Sequence, residues 1–164
     1  IFKKLMQKIN IIGKPNMIIS HSWEGGHEDH DACNLIARKI AHKFKILDKS
    51  FEFSLYNSYK SSFFYYRVFN PIKKVGKKFK TNFRTRLFLI SLLFNYKSQI
   101  KTWIGLYPFI IYHYLFKGYN FIENLNSSLF IKRPHKNVLL YEKRKSCTFK
   151  KFNHKSKIFL DDIR

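Results

Sequence analysis

The feature that most constrains this chain is a short polar run, residues 20–31, set between two apolar segments. It reads Ser-His-Ser-Trp-Glu-Gly-Gly-His-Glu-Asp-His-Asp, and it holds three of the seven histidines and four of the ten acidic residues. Before it, the apolar residues 17–19 predict a buried strand. After it, apolar residues at steps of three and four predict a helix starting near Asp29. This stripe consists of Cys33, Ile36, Ala37, Ile40 and Phe44. Strand, loop and helix in this order indicate an α/β fold, in which sites collect where strands end.

The composition favours one domain with a substantial core. The chain has 164 residues, of which 45% are hydrophobic and 18% aromatic, so wholesale disorder is excluded. Its formal net charge is +22, from 32 basic and 10 acidic residues. The lysines are scattered among Phe, Tyr, Ile and Asn, as is typical of A+T-rich coding, and we therefore expect no nucleic-acid partner. Residues 53–122 carry twelve Lys or Arg and no acid, which leaves a basic nucleic-acid or membrane-surface module as an alternative.

The rest of the pattern predicts a series of shorter elements. Helices are predicted over residues 2–9, 84–96 and 98–105, and strands over residues 52–56 and 138–141. The loop 73–80 is expected to be exposed, the aromatic stretch 107–115 to lie in the core or an interface, and residues 143–164 to form a basic, weakly patterned tail. On the helix after the polar run, Arg38, Lys39 and Lys43 are expected to face solvent.

The sequence shows few signals for membrane insertion, secretion or disulfide formation. The longest apolar runs, residues 87–94 and 103–116, fall short of the roughly 20 residues that cross a bilayer, so no transmembrane segment is predicted. No secretory signal is visible near the start of the chain. Cys33 and Cys147 form no close pair, and we expect both to be free thiols in a reducing compartment. These observations favour a cytoplasmic protein.

Imidazoles and carboxylates packed around the Gly25-Gly26 turn suggest a metal or acid–base site. One neutral imidazole can bind zinc, a second can steady an oxyanion, and an adjacent acid can orient that second ring. The acids also have a purely structural explanation, since negative charge in a first helical turn complements the helix dipole. The other histidines are isolated, and we expect them at surface or packing positions: His42, His113, His135 and His154.

The run Gly-Gly-His-Glu-Asp-His-Asp-Ala, residues 25–32, resembles the second signature of the N-acetylglucosaminyl-phosphatidylinositol de-N-acetylase family, the PIG-L or LmbE-like deacetylases. That signature is a Gly followed by His-Pro-Asp-His at the start of a helix. Residues 15–21 are similar to the family's preceding strand, residues 96–99 to its Ser-Gln segment, and residues 133–142 to its closing strand. The resemblance is strongest over residues 15–44 and extends more thinly to residue 142.

The resemblance implies a Rossmann-like, LmbE-type three-layer α/β fold and a zinc-dependent hydrolysis of the N-acetyl amide of an amino sugar such as N-acetylglucosamine. It implies that His30 is a zinc ligand, that His27 polarises the carbonyl and stabilises the oxyanion, and that Asp29 tunes His27. Glu28 takes the place of the usual Pro. Glu24 and Asp31 are left with structural roles in the loop and at the helix entry.

One departure limits what the resemblance implies. The family's first signature, His-Pro-Asp-Asp-Glu, carries the other two zinc ligands and the general base, and it does not occur in this sequence. We therefore expect residues 1–142 to be the C-terminal part of such a domain, incomplete at its N-terminus and inactive alone. The expected partner is an N-acetylated sugar or glycoconjugate, on which Trp23 and Trp103 either stack or merely pack elsewhere. A non-catalytic relative that binds sugar or a partner is the alternative.

Overall fold

The computed structural model describes residues 2–61, 66–95, 97, 100–129 and 131–161, without the side chains of residues 100–103. The helices are α1 Phe2–Ile12, α2 Glu28–Phe44, α3 Phe83–Leu92, α4 Ile100–Tyr112, α5 Leu140–Lys143 and α6 Phe149–Asp161. The strands are β1 Ile19–His21, β2 Phe51–Phe53, β3 Tyr56–Asn57, β4 Arg67–Val68, β5 Lys77–Lys80 and β6 Tyr119–Asn124. Single turns at Leu47–Lys49, Leu93–Asn95 and His113–Lys117 complete the described elements.

Four strands form the main sheet, in the order β1-β2-β6-β5. β1 runs parallel to β2, with Ser20 opposite Glu52, whereas β6 runs antiparallel to both β2 and β5. β3 and β4 form a separate antiparallel pair. The α/β class predicted from the sequence is thus confirmed, with a mixed sheet whose parallel pair carries the start of the polar run.

Helix α2 begins one residue before the predicted start. His27 caps it in extended backbone, three acids occupy its first turn, and Lys45 ends it in the left-handed conformation. The buried face is rotated from the predicted stripe, since Cys33 is exposed while Asp31, Asn34 and Arg38 are buried. The buried face of α2 therefore combines these three polar side chains with four apolar ones, Leu35, Ala37, Ile40 and Ala41.

The prediction that Arg38 faces solvent is wrong. Its side chain is only 3% exposed. The guanidinium lies 5.3 Å from the centre of the Trp23 ring, and Nη1 donates a hydrogen bond of 3.0 Å to the carbonyl of Ser128. Lys39 also has partners, because its Nζ donates to the carbonyl of Leu160 near the end of α6. The solvent exposure of both cations is predicted from the local periodicity of α2. Local periodicity carries no information about partners from distant parts of the chain.

Other predicted elements differ from those observed. Residues 138–141 were predicted as a strand, but they lead into α5, because the carboxylate of Glu142 accepts from the backbone N–H of Leu139 and caps a helix there. Residues 52–56 contribute to two short strands, β2 and β3. Residues 73–80 are largely exposed as predicted, but residues 77–80 form strand β5 and not a loop. The tail folds into α6, with Phe152 buried.

Two further predictions, for residues 17–19 and for residues 98–115, differ from the structure in their bounds. The strand predicted over residues 17–19 is β1, shifted by two residues, and Met17 and Ile19 are each 53% exposed where a buried strand was expected. The reason is that β1 lies at the edge of the described sheet. The helix predicted over residues 98–105 and the aromatic stretch 107–115 share one helix, α4, continued by the turn His113–Lys117. Residues 98 and 99 lie outside the described part.

Among the described residues, the larger of two buried clusters joins α4 to the β3–β4 pair and α5. It consists of Tyr56, Val68, Leu106, Ile110, Tyr114 and Leu140. A smaller cluster packs α2 on the loop after β6, through Ala37, Ala41 and Leu125. Burial of these side chains fixes α2 on one face of the sheet, and so places the polar run where β1 ends.

Candidate functional site

Three histidines of the polar run come together between the end of β1 and the start of α2. The ring of His30 lies 4.2 Å from that of His21, centre to centre, and the two planes differ by 12°. The ring of His27 lies 5.3 Å from that of His30 on another side. The ring of Tyr56 also lies beside His30, 5.5 Å away centre to centre, with the two planes 69° apart. The sequence predicted that His27 and His30 lie close, and His21 joins them because β1 ends at that residue.

His27 is held by its place at the helix start. Its Nδ1 accepts the backbone N–H of Asp29 at 3.2 Å, as an N-cap side chain does. With Nδ1 used as an acceptor, the proton of the neutral ring lies on Nε2, which is left as a donor. The carboxylates of Glu28 and Asp29 lie 3.7 and 3.8 Å from Nδ1, beyond hydrogen-bond distance. Asp29 therefore orients His27 through its backbone N–H, and its exposed carboxylate acts only by charge.

His30 and His21 are neutral imidazoles at neutral pH. Burial lowers the pKa of His30, and the neighbouring His21, His27 and Arg144 act in the same direction, which brings it to about 4. Burial also lowers the pKa of His21. The neutral ring is the form of histidine that binds metal ions. In its protonation state, His30 thus suits the ligand role that the resemblance implies.

The stacked pair does not converge on one metal ion. A zinc ion lies about 2.0–2.1 Å from an imidazole nitrogen, in the plane of the ring, and two nearly parallel rings do not share such a point. Nor do the described residues offer any group of three or more His, Cys, Asp or Glu that can hold a metal ion. Catalytic zinc usually takes three protein ligands, so the donors present around His30 do not by themselves fit zinc.

Glu24 anchors the loop to the following strand segment. Its side chain is 2% exposed, and its carboxylate accepts four hydrogen bonds. The donors are Ser54 Oγ at 2.6 Å, Leu55 N at 2.8 Å, Tyr56 N at 3.0 Å and Asn57 Nδ2 at 2.9 Å. Burial raises the pKa of Glu24 while these donors oppose the shift. The structural role expected for Glu24 agrees with these contacts, but the sequence does not predict its partners, for which the polar residues Ser54 and Asn57 are the available signal.

Asp31 closes the loop from the helix side. Its Oδ1 accepts the backbone N–H groups of Glu24 at 3.1 Å and Gly25 at 3.2 Å. Burial raises the pKa of Asp31 to about 8 despite these bonds. The loop also needs its glycines, because a Cβ on Gly26 would lie 2.0 Å from the carbonyl oxygen of Tyr56. Two of the four acids in the run thus hold backbone, which confirms their structural assignment.

A polar cavity of about 390 Å³ lies beside the loop, on the side of Trp23. Its walls include Ser22, Arg38, Glu52 and Lys132. The Trp23 ring is engaged in packing, since it lies 5.7 Å from Phe152 and its Nε1 donates to the carbonyl of Lys132 at 2.8 Å. The side chain of Trp103, the second candidate for stacking on a sugar, lies outside the described part of the chain. Residues 96, 98 and 99, which belong to the segment that resembles the family's Ser-Gln segment, also lie outside it.

The four isolated histidines lie where the sequence placed them. His42 and His154 are exposed, whereas His113 and His135 are buried in packing positions. Both cysteines are free thiols, with Cys33 exposed at the surface of α2.

Comparison with protein-family models, with curated proteins and with solved structures returns no match for this chain. Among the helices that the structure describes, none combines the length and apolarity needed to cross a membrane. The function is therefore argued from the geometry of the loop and from the sequence pattern of residues 25–32.

Proposed function

We propose that this chain supplies part of the active site of a zinc-dependent amide hydrolase, a cytoplasmic enzyme of the PIG-L or LmbE-like kind that removes the acetyl group from an N-acetylated amino sugar. The observation that supports the proposal best is the pairing of His30 and His27. One is a buried, neutral imidazole, and the other presents an N–H donor from the start of a helix, with the two rings 5.3 Å apart.

In this proposal His30 is the one zinc ligand that the described residues contribute. Zinc, when bound, polarises an amide carbonyl and lowers the pKa of a bound water. A zinc site at His30 would need further ligands, because the donors that the described residues offer around His30 fall short of one. This chain by itself contributes the neutral imidazole of His30, which its stack on His21 holds in place.

His27 has a task that does not depend on how zinc is held. Its Nε2–H can donate to the carbonyl oxygen of the substrate amide as negative charge develops there. The position at the start of α2 adds the positive end of the helix dipole to this donor. The nearby carboxylates of Glu28 and Asp29 stabilise positive charge on the ring as the hydrogen bond strengthens. The N-cap bond to Asp29 keeps the ring in one orientation throughout.

The test is acetate release from N-acetylglucosaminides by the product of the complete reading frame, supplied with Zn²⁺. We expect His30→Gln and His27→Gln each to lower kcat/KM by about 100-fold or more, because one removes a ligand and the other an oxyanion donor. His154→Gln, an exposed histidine on α6, is the matched control and should leave kcat/KM unchanged. Failure of the zinc-supplied product to release acetate overturns the proposal in favour of a non-catalytic relative.

The chain itself permits a second test. Zn²⁺ is titrated into the protein while the ring resonances of the histidines are followed by NMR. The proposal expects a weak, selective effect on His30 that disappears in the His30→Gln variant. Equal effects on the exposed rings of His42 and His154 indicate adventitious surface binding and contradict the ligand role.

A further inference from the structure

The polar cavity beside Trp23 is built from parts of the chain that are distant in sequence. Its walls come from the loop after β1, from helix α2, from strands β2 and β6, and from the segments before β5 and after β6. Its volume of about 390 Å³ lies in the range of sites for small molecules. None of His21, His27 and His30 lines it, so the polar cavity and the histidine group are separate features.

Arg38 gives this cavity a recognition group. Its side chain is 3% exposed and forms part of the wall, and its Nη1 donates to the carbonyl of Ser128 at 3.0 Å. The other edge of the guanidinium carries Nε and Nη2, which are shielded from bulk solvent and have no hydrogen-bond partner among the described residues. One N–H of each nitrogen points in the same direction on that edge. Such an edge is the fork that binds both oxygens of a carboxylate.

The charge of Arg38 also lacks a counter-ion. No carboxylate in the described part of the chain lies within ion-pair distance of this guanidinium. Glu52 and Asp31 act on it from farther away, and Asp31 is largely neutral at pH 7 because burial raises its pKa to about 8. A buried cation is stable when it is paired, so an anion in the polar cavity would supply what Arg38 lacks. The buried hydroxyl of Ser22, likewise without a partner among the described groups, lines the same cavity.

Two carboxylates limit the charge that the cavity accepts. Glu52 and Glu123 lie directly opposite each other on β2 and β6, and both line the cavity. Nδ2 of Asn34 donates to Glu52 at 2.9 Å, and the backbone N–H of Val75 donates to Glu123 at 3.2 Å, so both groups are held in place. Their negative charges disfavour a ligand with two negative charges, such as a phosphate monoester. Their remaining lone pairs accept hydrogen bonds from hydroxyl or ammonium groups.

We propose that the polar cavity binds a small carboxylate that also carries hydroxyl or amino groups. The carboxylate accepts from Nε and Nη2 of Arg38, and the other groups of the ligand donate to Glu52 and Glu123. Lys73 and Lys132, which are exposed and also line the cavity, attract the anion from solution. This inference does not rest on the proposed deacetylase function, because it uses none of the residues assigned to that reaction.

The test follows N–H signals of the full chain by ¹H–¹⁵N NMR near neutral pH. Gluconate, free serine, acetate or inorganic phosphate is added at constant ionic strength. The reporters are the Nε–H of Arg38 and the indole N–H of Trp23, assigned by their loss in Arg38→Lys and Trp23→Phe. We expect gluconate or serine to shift both signals to saturation, because the ligand takes a charge-assisted bond beside the indole. Acetate, which lacks the donors, and phosphate should each bind at least about tenfold more weakly.

Variants separate the fork from general attraction. Arg38→Gln should weaken binding by about 30-fold or more, because it removes both the fork and its charge. Glu123→Gln should reduce the preference for gluconate or serine over acetate. Lys132→Gln should weaken binding about two- to fivefold, whereas Lys155→Gln, an exposed lysine on α6, is the matched control and should change it less than about 1.5-fold. His30→Gln should leave binding unchanged, so that failure of this proposal is distinguishable from failure of the deacetylase.

The parent chain alone is sufficient to contradict the proposal, whether or not the buried Arg38 variants fold. No saturable shift of the Arg38 signal with gluconate or serine up to about 50 mM, beyond the millimolar range of weak ligands, overturns it. Phosphate that binds as tightly as the carboxylates also overturns it. Equal losses in Lys132→Gln and Lys155→Gln show unspecific attraction to the net charge and likewise overturn it.

Discussion

The polar loop, residues 20–31, and the helical hairpin of α3 and α4 use side chains in opposite ways. In the loop, acidic side chains such as Glu24 and Asp31 are buried, and each accepts backbone N–H groups. In the hairpin, the charges are all positive and the apolar residues Phe88 and Phe116 are exposed. Acidic and basic residues thus have different roles in this chain of net charge +22. Four of the ten acids lie in the loop, and two of these, Glu24 and Asp31, hold its backbone.

This contrast also bears on how a site is recognised. An acid-rich, histidine-rich loop suggests a metal centre from its sequence, yet Glu24 and Asp31 are used to build the loop itself. What remains for chemistry is the smaller group of His27, His30 and the exposed carboxylate of Asp29. The candidate site is thus a scaffold of buried acids that presents two histidines.

The largest effect is expected for Glu24→Ala. Removing the carboxylate strips four donors of their acceptor, and two of these are the backbone N–H groups of Leu55 and Tyr56. A buried donor without a partner costs about 1–3 kcal/mol, so the free energy of unfolding should fall by at least about 4 kcal/mol. Urea or thermal denaturation measures the change.

The control for that prediction is Asp48→Ala. Asp48 is an exposed acid in the turn after α2. Its removal should change the free energy of unfolding by less than about 0.5 kcal/mol. If Glu24→Ala proves as mild as Asp48→Ala, the loop is not anchored by its buried acid, and the contrast with the hairpin fails.

A pair of glycines compares the two regions directly. In Gly26→Ala, the new Cβ meets the carbonyl oxygen of Tyr56 at 2.0 Å, so backbone must shift and stability should fall by about 2–4 kcal/mol. In Gly105→Ala on α4, the new Cβ meets nothing within 4 Å, and helix propensity should raise stability by about 0.5–1 kcal/mol. The two Tm values should therefore move in opposite directions. Destabilisation of similar size by both variants would show that α4 is as tightly enclosed as the loop.

How far the sequence predicts this structure depends on the range of the interaction involved. The start of α2 and the α/β class follow from local signals, namely periodicity and first-turn acids, and both are confirmed. Arg38 was misplaced because its partner Ser128 lies 90 residues away, and the partners of Glu24 lie about 30 residues away. Local sequence patterns do not encode such pairings. A cation that is buried by a distant partner therefore has the same local sequence pattern as a cation on the surface.

The same limit applies to residues 138–141 and to the candidate site. Four apolar residues after a proline suggest a strand, but the side chain of Glu142 decides for a helix by capping Leu139. At the site, the proximity of His27 and His30 followed from their spacing. The stack of His21 on His30 did not, because it depends on where β1 ends relative to α2.

The last contrast is in the pH dependence of stability in the two regions. Burial raises the pKa of Asp31 to about 8, so between its ordinary value of 3.8 and about pH 8 the folded chain binds a proton that the unfolded chain does not. Stability should therefore fall as pH rises through this range, by at most about 1.4 kcal/mol per unit. Asp31→Asn keeps the acceptor and cannot ionise, so it should flatten this slope between pH 5 and pH 8.

His113 in the hairpin provides the opposite sign. Burial lowers its pKa below 6.5, so the unfolded chain binds the extra proton and stability falls as pH drops below 6.5. His113→Asn should reduce the loss of stability that occurs as pH drops below 6.5, whereas Asp31→Asn should reduce the loss that occurs as pH rises from 5 to 8. Urea denaturation of the parent and both variants at pH 5, 6.5 and 8 measures the three slopes. If both substitutions change the slope of stability against pH in the same direction, the buried groups of the loop and the hairpin are not electrostatically distinct, and the comparison between them loses its physical basis.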